Sequence, residues 1–258
     1  MFSKVATLAA LLSASLYAQA PATTAPAPPA KAAAAELPDA RTIIDRHIKA
    51  IGGRAAILEH KSMHASGTLS VPSSGLSGPV DVYGAAPDRV LVKASIQGIG
   101  EIADGYDGAH AWTVNPMMGP ALKTGKELEQ TKLDADFYSE LRDPKKYTLT
   151  TIEKTPFDGR DCYKVKVKRA DGSEDFDFYD VATGLRAGSI NTRETQMGTM
   201  TVTNTETGYK PFGKLTQATV LIQKIMGIEQ KITIESVEYD KVDPSIFEPP
   251  AVIKALIK

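Results

Sequence analysis

The chain has 258 residues, 42% apolar and 24% charged, an ordinary globular balance that excludes a wholly disordered chain. Lysine and arginine number 30 against 31 acidic residues, a formal net charge of −1, so nothing in the charge points to nucleic acid. The single cysteine, Cys162, excludes an intramolecular disulfide and a cysteine-rich zinc site.

Lys4 gives the start a positive charge, and residues 5–17 are an apolar run of secretory-signal length. That run is too short to cross a bilayer core of about 30 Å. Small residues follow at Ala18, Ala20 and Ala22. Residues 1–22 therefore read as a signal peptide, cleaved after Ala20 or, keeping Pro21 away from the scissile position, after Ala22. No cysteine lies nearby, so lipid attachment there is excluded. Residues 23–38 are a Pro/Ala-rich linker that cannot bury a core. The folded domain is expected over 39–258. Removing Lys4 and Lys31 from 30 bases and Glu36 from 31 acids leaves 28 against 30, close to neutral.

Ile43, Ile44, His47, Ile48 and Ile51 place one apolar stripe on a helix from Ala40. Asp39 is its expected N-cap, and Gly52-Gly53 stops it. A short helical turn is expected over 54–59. The period then changes to two. Residues 62–71 read as a strand, followed by Val80/Val82 and by Val90, Val92, Ala94 and Ile96. Thr124 with Glu127 reads as a capping box opening a helical insertion, with Leu128, Leu133, Phe137 and Leu141 on its apolar side. Asp143-Pro144 ends it. Tyr163, Val165 and Val167 alternate with lysines, and Phe176 and Phe178 alternate with Asp175 and Asp177, across the turn Ala170-Asp171-Gly172. This pattern predicts a hairpin with the phenylalanines on the buried face and lysines opposite aspartates on the wet face. Further strands are expected near 186–194, 199–208, 214–225 and 229–239, and a last short helix over 250–257. Roughly ten strands joined by short turns describe an antiparallel meander that curls into a barrel or half-barrel.

Residues 105–116 read Gly-Tyr-Asp107-Gly108-Ala-His-Ala-Trp112-Thr-Val-Asn115-Pro116. This segment resembles the third and fourth strands of LolA-like periplasmic lipoprotein carriers. Ala86-Pro87, opening the strand 88–96, and the closing Asp243-Pro244-Ser245-Ile246-Phe247 resemble that family too. The order of elements agrees over 39–250. The resemblance implies a mainly β half-open antiparallel barrel of about ten or eleven strands. An N-terminal helix, a mid-chain helical lid and a short C-terminal helix would cover it. It also implies a hydrophobic cavity for acyl chains, and the same fold serves LolB-like receptors and RseB-like sensors. The carriers have an arginine before the strand proline that helps hold the lid closed. Here Ala86 stands there, and the nearest arginine is Arg89.

Signals for catalysis are weak. His60 and His64 are four apart, but on a strand that spacing is not a metal pair, and no HExxH occurs. His47 lies beside the first helix's apolar stripe and reads as a packed or snorkelling side chain. No nucleophile elbow, Walker A or dinucleotide fingerprint is present. Cys162 has no neighbours that would make a thiolate. The acid pairs Asp134/Asp136 and Asp175/Asp177 read as solvated faces.

The candidate ligand-binding residues are therefore apolar: Val90, Val92, Ile96, Trp112, Met117, Met118, Leu128, Phe137, Phe176 and Phe178. Met197, Met200 and Met226, in or near later turns, are adaptable apolar residues of the same kind. The expectation is a non-enzymatic, monomeric periplasmic carrier that binds lipid or lipoprotein acyl chains without a cofactor, a metal or nucleic acid. The resemblance adds an inner-membrane export complex as donor and an outer-membrane acceptor. The alternative is a periplasmic sensor or interaction module that binds a membrane-associated partner, with lipid as modulator.

Overall fold

A computed structural model describes residues 36–195 and 198–257. The expected signal peptide, most of the expected linker and Met197 lie outside the described residues.

Helix α1 (Ala40–Ala50) is capped as expected: the Asp39 carboxylate accepts the Arg41 amide at 2.8 Å. Its stripe of Ile43, Ile44, His47 and Ile48 is buried. Gly52 ends it in a left-handed turn, where a Cβ would meet the Lys214 carbonyl at 2.3 Å. Helix α2 (Arg54–Glu59) follows.

The first run of strands comprises β1 (Ser62–Val71), β2 (Leu76–Ala85), β3 (Arg89–Ile96), β4 (Gly100–Tyr106), β5 (Ala111–Asn115) and β6 (Gly119–Leu122). A helical crossover then carries α3 (Gly125–Asp134) and a 3-10 turn at Ser139–Leu141. The Thr124 side chain makes no capping hydrogen bond, so the expected capping box is not formed. The second run comprises β7 (Tyr147–Phe157), β8 (Arg160–Arg169), β9 (Glu174–Asp180), β10 (Arg186–Thr195) and β11 (Gly198–Thr207). A small separate hairpin, β12 (Lys210–Phe212) and β13 (Leu215–Gln217), precedes β14 (Val220–Ile225) and β15 (Ile228–Tyr239). A 3-10 turn at Pro244–Phe247 and helix α4 (Ala251–Lys254) close the described chain.

Thirteen strands form one antiparallel sheet in the order β6-β5-β4-β3-β2-β1-β15-β14-β11-β10-β9-β8-β7. The sheet is mainly β architecture left open, a half-barrel with helices, though with more strands than the ten or eleven expected. It is also not a plain meander. The first and last strands, β1 and β15, pair in the middle (Leu69 opposite Ile232). The two edges, β6 and β7, are consecutive in sequence. The crossover between them spans the opening and lies over one face of the sheet, here termed the inner face.

The main core fills the space between the inner face and α1, α2 and the crossover. It contains Val80, Val82, Val90, Val92, Ala94, Ile96, Ile102, Ile44, Phe137 and Leu141. A second cluster of Leu91, Ala103, Trp112, Phe247 and Ile253 lies on the opposite, outer face. Strand alternation separates Leu91 from Val90 and Val92. The C-terminal segment with α4 therefore covers the outer face and not the inner one.

Candidate functional site

The Asp107-Gly108 motif builds a turn. Asp107 Oδ1 accepts the amides of Ala109 at 2.7 Å and His110 at 2.6 Å, and Gly108 takes a φ of 103°. Across the hairpin, Gly105 faces Trp112, whose ring would lie 2.3 Å from a Cβ there. Asn115 caps the next turn, accepting the Met117 amide at 2.8 Å. The lid touches the strand proline through its backbone: the Phe137 amide donates to the Pro87 carbonyl at 2.9 Å.

The ten candidate residues do not converge on one place. Val90, Val92, Ile96 and Phe137 are buried together in the main core, and Leu128 on α3 packs against it. Trp112 is on the outer face with Phe247 and Ile253, not beside the lid. Phe178 is buried on the outer face with Cys162 and Ala187, stacked on Phe157 at 4.1 Å, and Phe176 packs on the same cluster. Met117 and Met118 are exposed at the β5–β6 turn.

The β8–β9 hairpin corrects the sequence reading. Its register pairs Val165 with Asp177, Val167 with Asp175, Lys164 with Phe178 and Lys166 with Phe176. Lysines therefore share the outer face with phenylalanines, and the Lys164 ammonium sits 4.8 Å from the Phe176 ring centroid. The aspartates, with Tyr179, point inward. They do so because the crossover and neighbouring strands bring guanidinium groups to meet them.

These contacts form the main feature the sequence did not reveal. Arg142 pairs with Asp177, and the Tyr179 hydroxyl donates to the same carboxylate at 3.1 Å. Arg169 pairs with Asp134 at 2.7 Å and with Asp175. Arg193 Nη1 lies 3.2 Å from Asp175, and its Nη2 3.5 Å from Asp134. Arg186 holds Glu140 at 3.0 Å and Glu206 at 2.8 Å. His47 Nε2 lies 3.3 Å from Glu140. Asp134, Glu140 and Arg142 belong to the crossover, so each ties the cover to the β8–β11 half of the sheet. The acid pairs are thus buried, not solvated. Burial opposes ionisation of Glu140, yet Arg186 and His47 hold its carboxyl well below the usual range. Arg193 and Arg169 outweigh burial in the same way at Asp175, lowering it.

Next to this network runs a polar ladder. The Asn204 amide donates to Ser189 Oγ at 3.2 Å and to Asn191 Oδ1 at 2.8 Å, and the Gln223 amide donates to Asn204 at 2.9 Å. Network and ladder line a cavity of about 30 Å³, room for roughly two waters. A larger cleft of about 120 Å³ lies beside α1, lined by Ile43, Arg46, Tyr163 and Tyr179.

Among the described residues, the β1–β6 half carries one buried ion pair, Lys123 with Asp104. There burial outweighs Lys123 and pushes the Asp104 carboxyl up. Burial also raises Glu127 on α3. Cys162 is buried, and burial pushes its thiol up to about 11, so it is not a thiolate at neutral pH. The other histidines pair with carboxylates: His60 with Asp240 at 2.7 Å, His64 with Asp81 at 2.7 Å and His110 with Asp107 at 3.4 Å. Among the described residues, no three such side chains gather to hold a metal ion. None of the described helices is long and apolar enough to cross a membrane.

No protein-family model matches this sequence, and no curated protein does. Solved structures do match. A DUF1329-family protein from Desulfovibrio piger superposes with a TM-score of 0.57 at 12% identity, over 83% of this chain and 99% of that one. A LolA-superfamily protein from Nitrosomonas europaea gives 0.55 at 12% identity, over 83% and 99%. The fold is LolA-like. An outer-membrane lipoprotein-sorting protein domain from Vibrio parahaemolyticus, described as putative, gives 0.50 at 12% identity, over 84% and 97%. At these identities the likeness is one of LolA-like architecture.

Proposed function

We propose that this protein is a non-enzymatic periplasmic carrier that shelters lipid or lipoprotein acyl chains between its sheet and its helical cover. The observation that carries the reading is the apolar half of the inner face. Val80, Val82, Val90, Val92, Ala94, Ile96 and Ile102 form a continuous hydrocarbon surface on adjacent strands, closed by the crossover through Leu128, Phe137 and Leu141. All the strand residues are buried beneath the cover, so a guest enters as the crossover lifts. Each methylene moved from water onto this surface contributes about 0.8 kcal/mol. Residues 1–22 would direct export, and a membrane donor and acceptor would load and unload the chain. Native mass spectrometry of detergent-free protein, with titration of a fluorescent long-chain fatty acid, tests this. The expected result is saturable uptake and adducts of lipid mass. A clean apo mass with no uptake rejects it.

One observation favours the second reading, an interaction module for a membrane-associated partner. The ion pairs of Arg142, Arg169 and Arg186 tie down the cover that a carrier must move. Capture of one membrane protein, unchanged by delipidation, would select that reading.

A further inference from the structure

One transverse row of the inner face is polar from strand to strand. Asp177 on β9 lies opposite Ser189 on β10, and Ser189 opposite Asn204 on β11. Asn204 in turn lies opposite Gln223 on β14, and Gln223 opposite Gln230 on β15. These side chains share one face, and all but the half-buried Asn204 are buried. The neighbouring row turns apolar: Glu206 lies opposite Leu221, Leu221 opposite Ile232, and Ile232 opposite Leu69. Ile232 and Leu69 belong to the main core, and Leu221 packs against it. The cavity of about 30 Å³ is lined from both rows, by Ser189, Asn204 and Gln223 from the first and by Leu221 and Ile232 from the second.

The charges around this cavity balance. Its arginines Arg142, Arg169 and Arg186 pair one to one with its carboxylates Asp177, Asp175 and Glu206. An ionised group of either sign would lose its water there and find every counter-charge already paired. An uncharged hydroxyl or carbonyl is far cheaper to bury once it is hydrogen-bonded. One donor is open to it. Arg142 is 5% exposed, and its Nε–H is buried without a partner among the described residues. Buried N–H groups in folded proteins are rarely left unpaired, so an acceptor oxygen is what the cavity lacks.

We infer that this cavity seats the uncharged, oxygen-bearing end of an acylated guest, a hydroxyl or ester group. The acyl chain then lies along Leu221, Ile232 and Leu69 toward the valines of β2 and β3. A hydroxyl suits the wall, since its oxygen accepts from Arg142 Nε and its hydrogen donates to a carboxylate or amide oxygen. This assignment rests on the carrier reading and adds to it which end of the guest is recognised, and by what.

The purified chain is loaded with a fluorescent long-chain fatty acid and titrated with 1-monolauroylglycerol or with laurate, at about pH 8, where a carboxylate is ionised. The expected result is that the monoacylglycerol displaces the probe about tenfold more tightly than laurate, or better. Asn204→Leu should bring the two within about threefold, mainly by weakening the monoacylglycerol. Gln223→Met, which keeps the side-chain length, should act in the same direction if Asn204→Leu fails to fold, with circular dichroism as the check. Equal binding of the two by the parent chain, probe uptake that neither displaces, or a preference that survives the substitutions overturns the inference and leaves the carrier reading standing. No uptake of the probe, with no binding of either amphiphile, rejects the carrier reading and this assignment together.

Discussion

Ala94 on β3 and Asp177 on β9 both lie buried on the inner face, yet Ala94 sits between Val80 and Ile102 and Asp177 against Arg142. Phe137 and Leu141 of the cover belong to the same apolar cluster as Ala94, and such contacts are non-directional. Around Asp177 the cover is held by ion pairs that tolerate little displacement. A buried pair contributes little net stability compared with a well-packed apolar pair, but breaking one leaves an uncompensated charge. On the proposed carrier reading, the apolar half would provide a surface that can exchange its partner, and the charged half would fix where the cover returns.

Removing one cation should cost most. Arg186→Met strands Glu140 and Glu206 in the interior, and a loss of about 3–5 kcal/mol is expected in urea unfolding. A loss below about 1 kcal/mol would show the charged half to be loosely built. Phe137→Ala, on the apolar side of the same cover, should cost a similar amount or slightly less, about 3 kcal/mol or more. Unlike Arg186→Met, it should leave the acid dependence of stability unchanged.

That acid dependence sharpens the contrast. Glu140 and Asp175 have folded-state values below their unfolded ones. Their contribution is fully present above the unfolded values near 4 and is lost as pH falls through the lowered folded values. Asp104 and Glu127 are raised, so the folded state takes up their protons first, and acidification relieves their burial penalty. Net loss of stability below about pH 4 is expected, since the lowering of Glu140 is the large shift among these four groups. Its slope should be shallower in Arg186→Met, as read by thermal unfolding at a series of pH values.

Gly105→Ala tests the outer face. The added methyl must displace the Trp112 ring, costing about 1–3 kcal/mol and shifting the emission of the only tryptophan. Glu127→Gln should have the smallest effect, a gain of no more than about 0.5 kcal/mol at neutral pH.

Local patterns in the sequence were informative about elements. The isoleucine stripe with Asp39 and Gly52 marked α1, and alternation marked β3, β8 and β9. The same alternation misled about faces. In 174–180 it shows that Phe176 and Phe178 oppose Asp175 and Asp177, but not which pair turns inward. Apolar-inward is the ordinary choice, and it failed because Arg142, Arg169, Arg186 and Arg193 converge from distant positions. Trp112, either a core anchor or a cavity wall on sequence grounds, is buried on the outer face for a related reason: the segment that packs on it, around Phe247 and Ile253, is distant in the chain.

The sequence by itself determined the strand-rich composition, the turns and the helical interruption at 124–142, because these depend on neighbours a few residues apart. Tertiary structure alone decided that β1 pairs with β15, that the crossover bridges the two sheet edges, and that aspartates face inward. Each of those outcomes depends on contacts between residues far apart in the chain. There the desolvation cost of a buried charge is offset only when the whole fold delivers its partner.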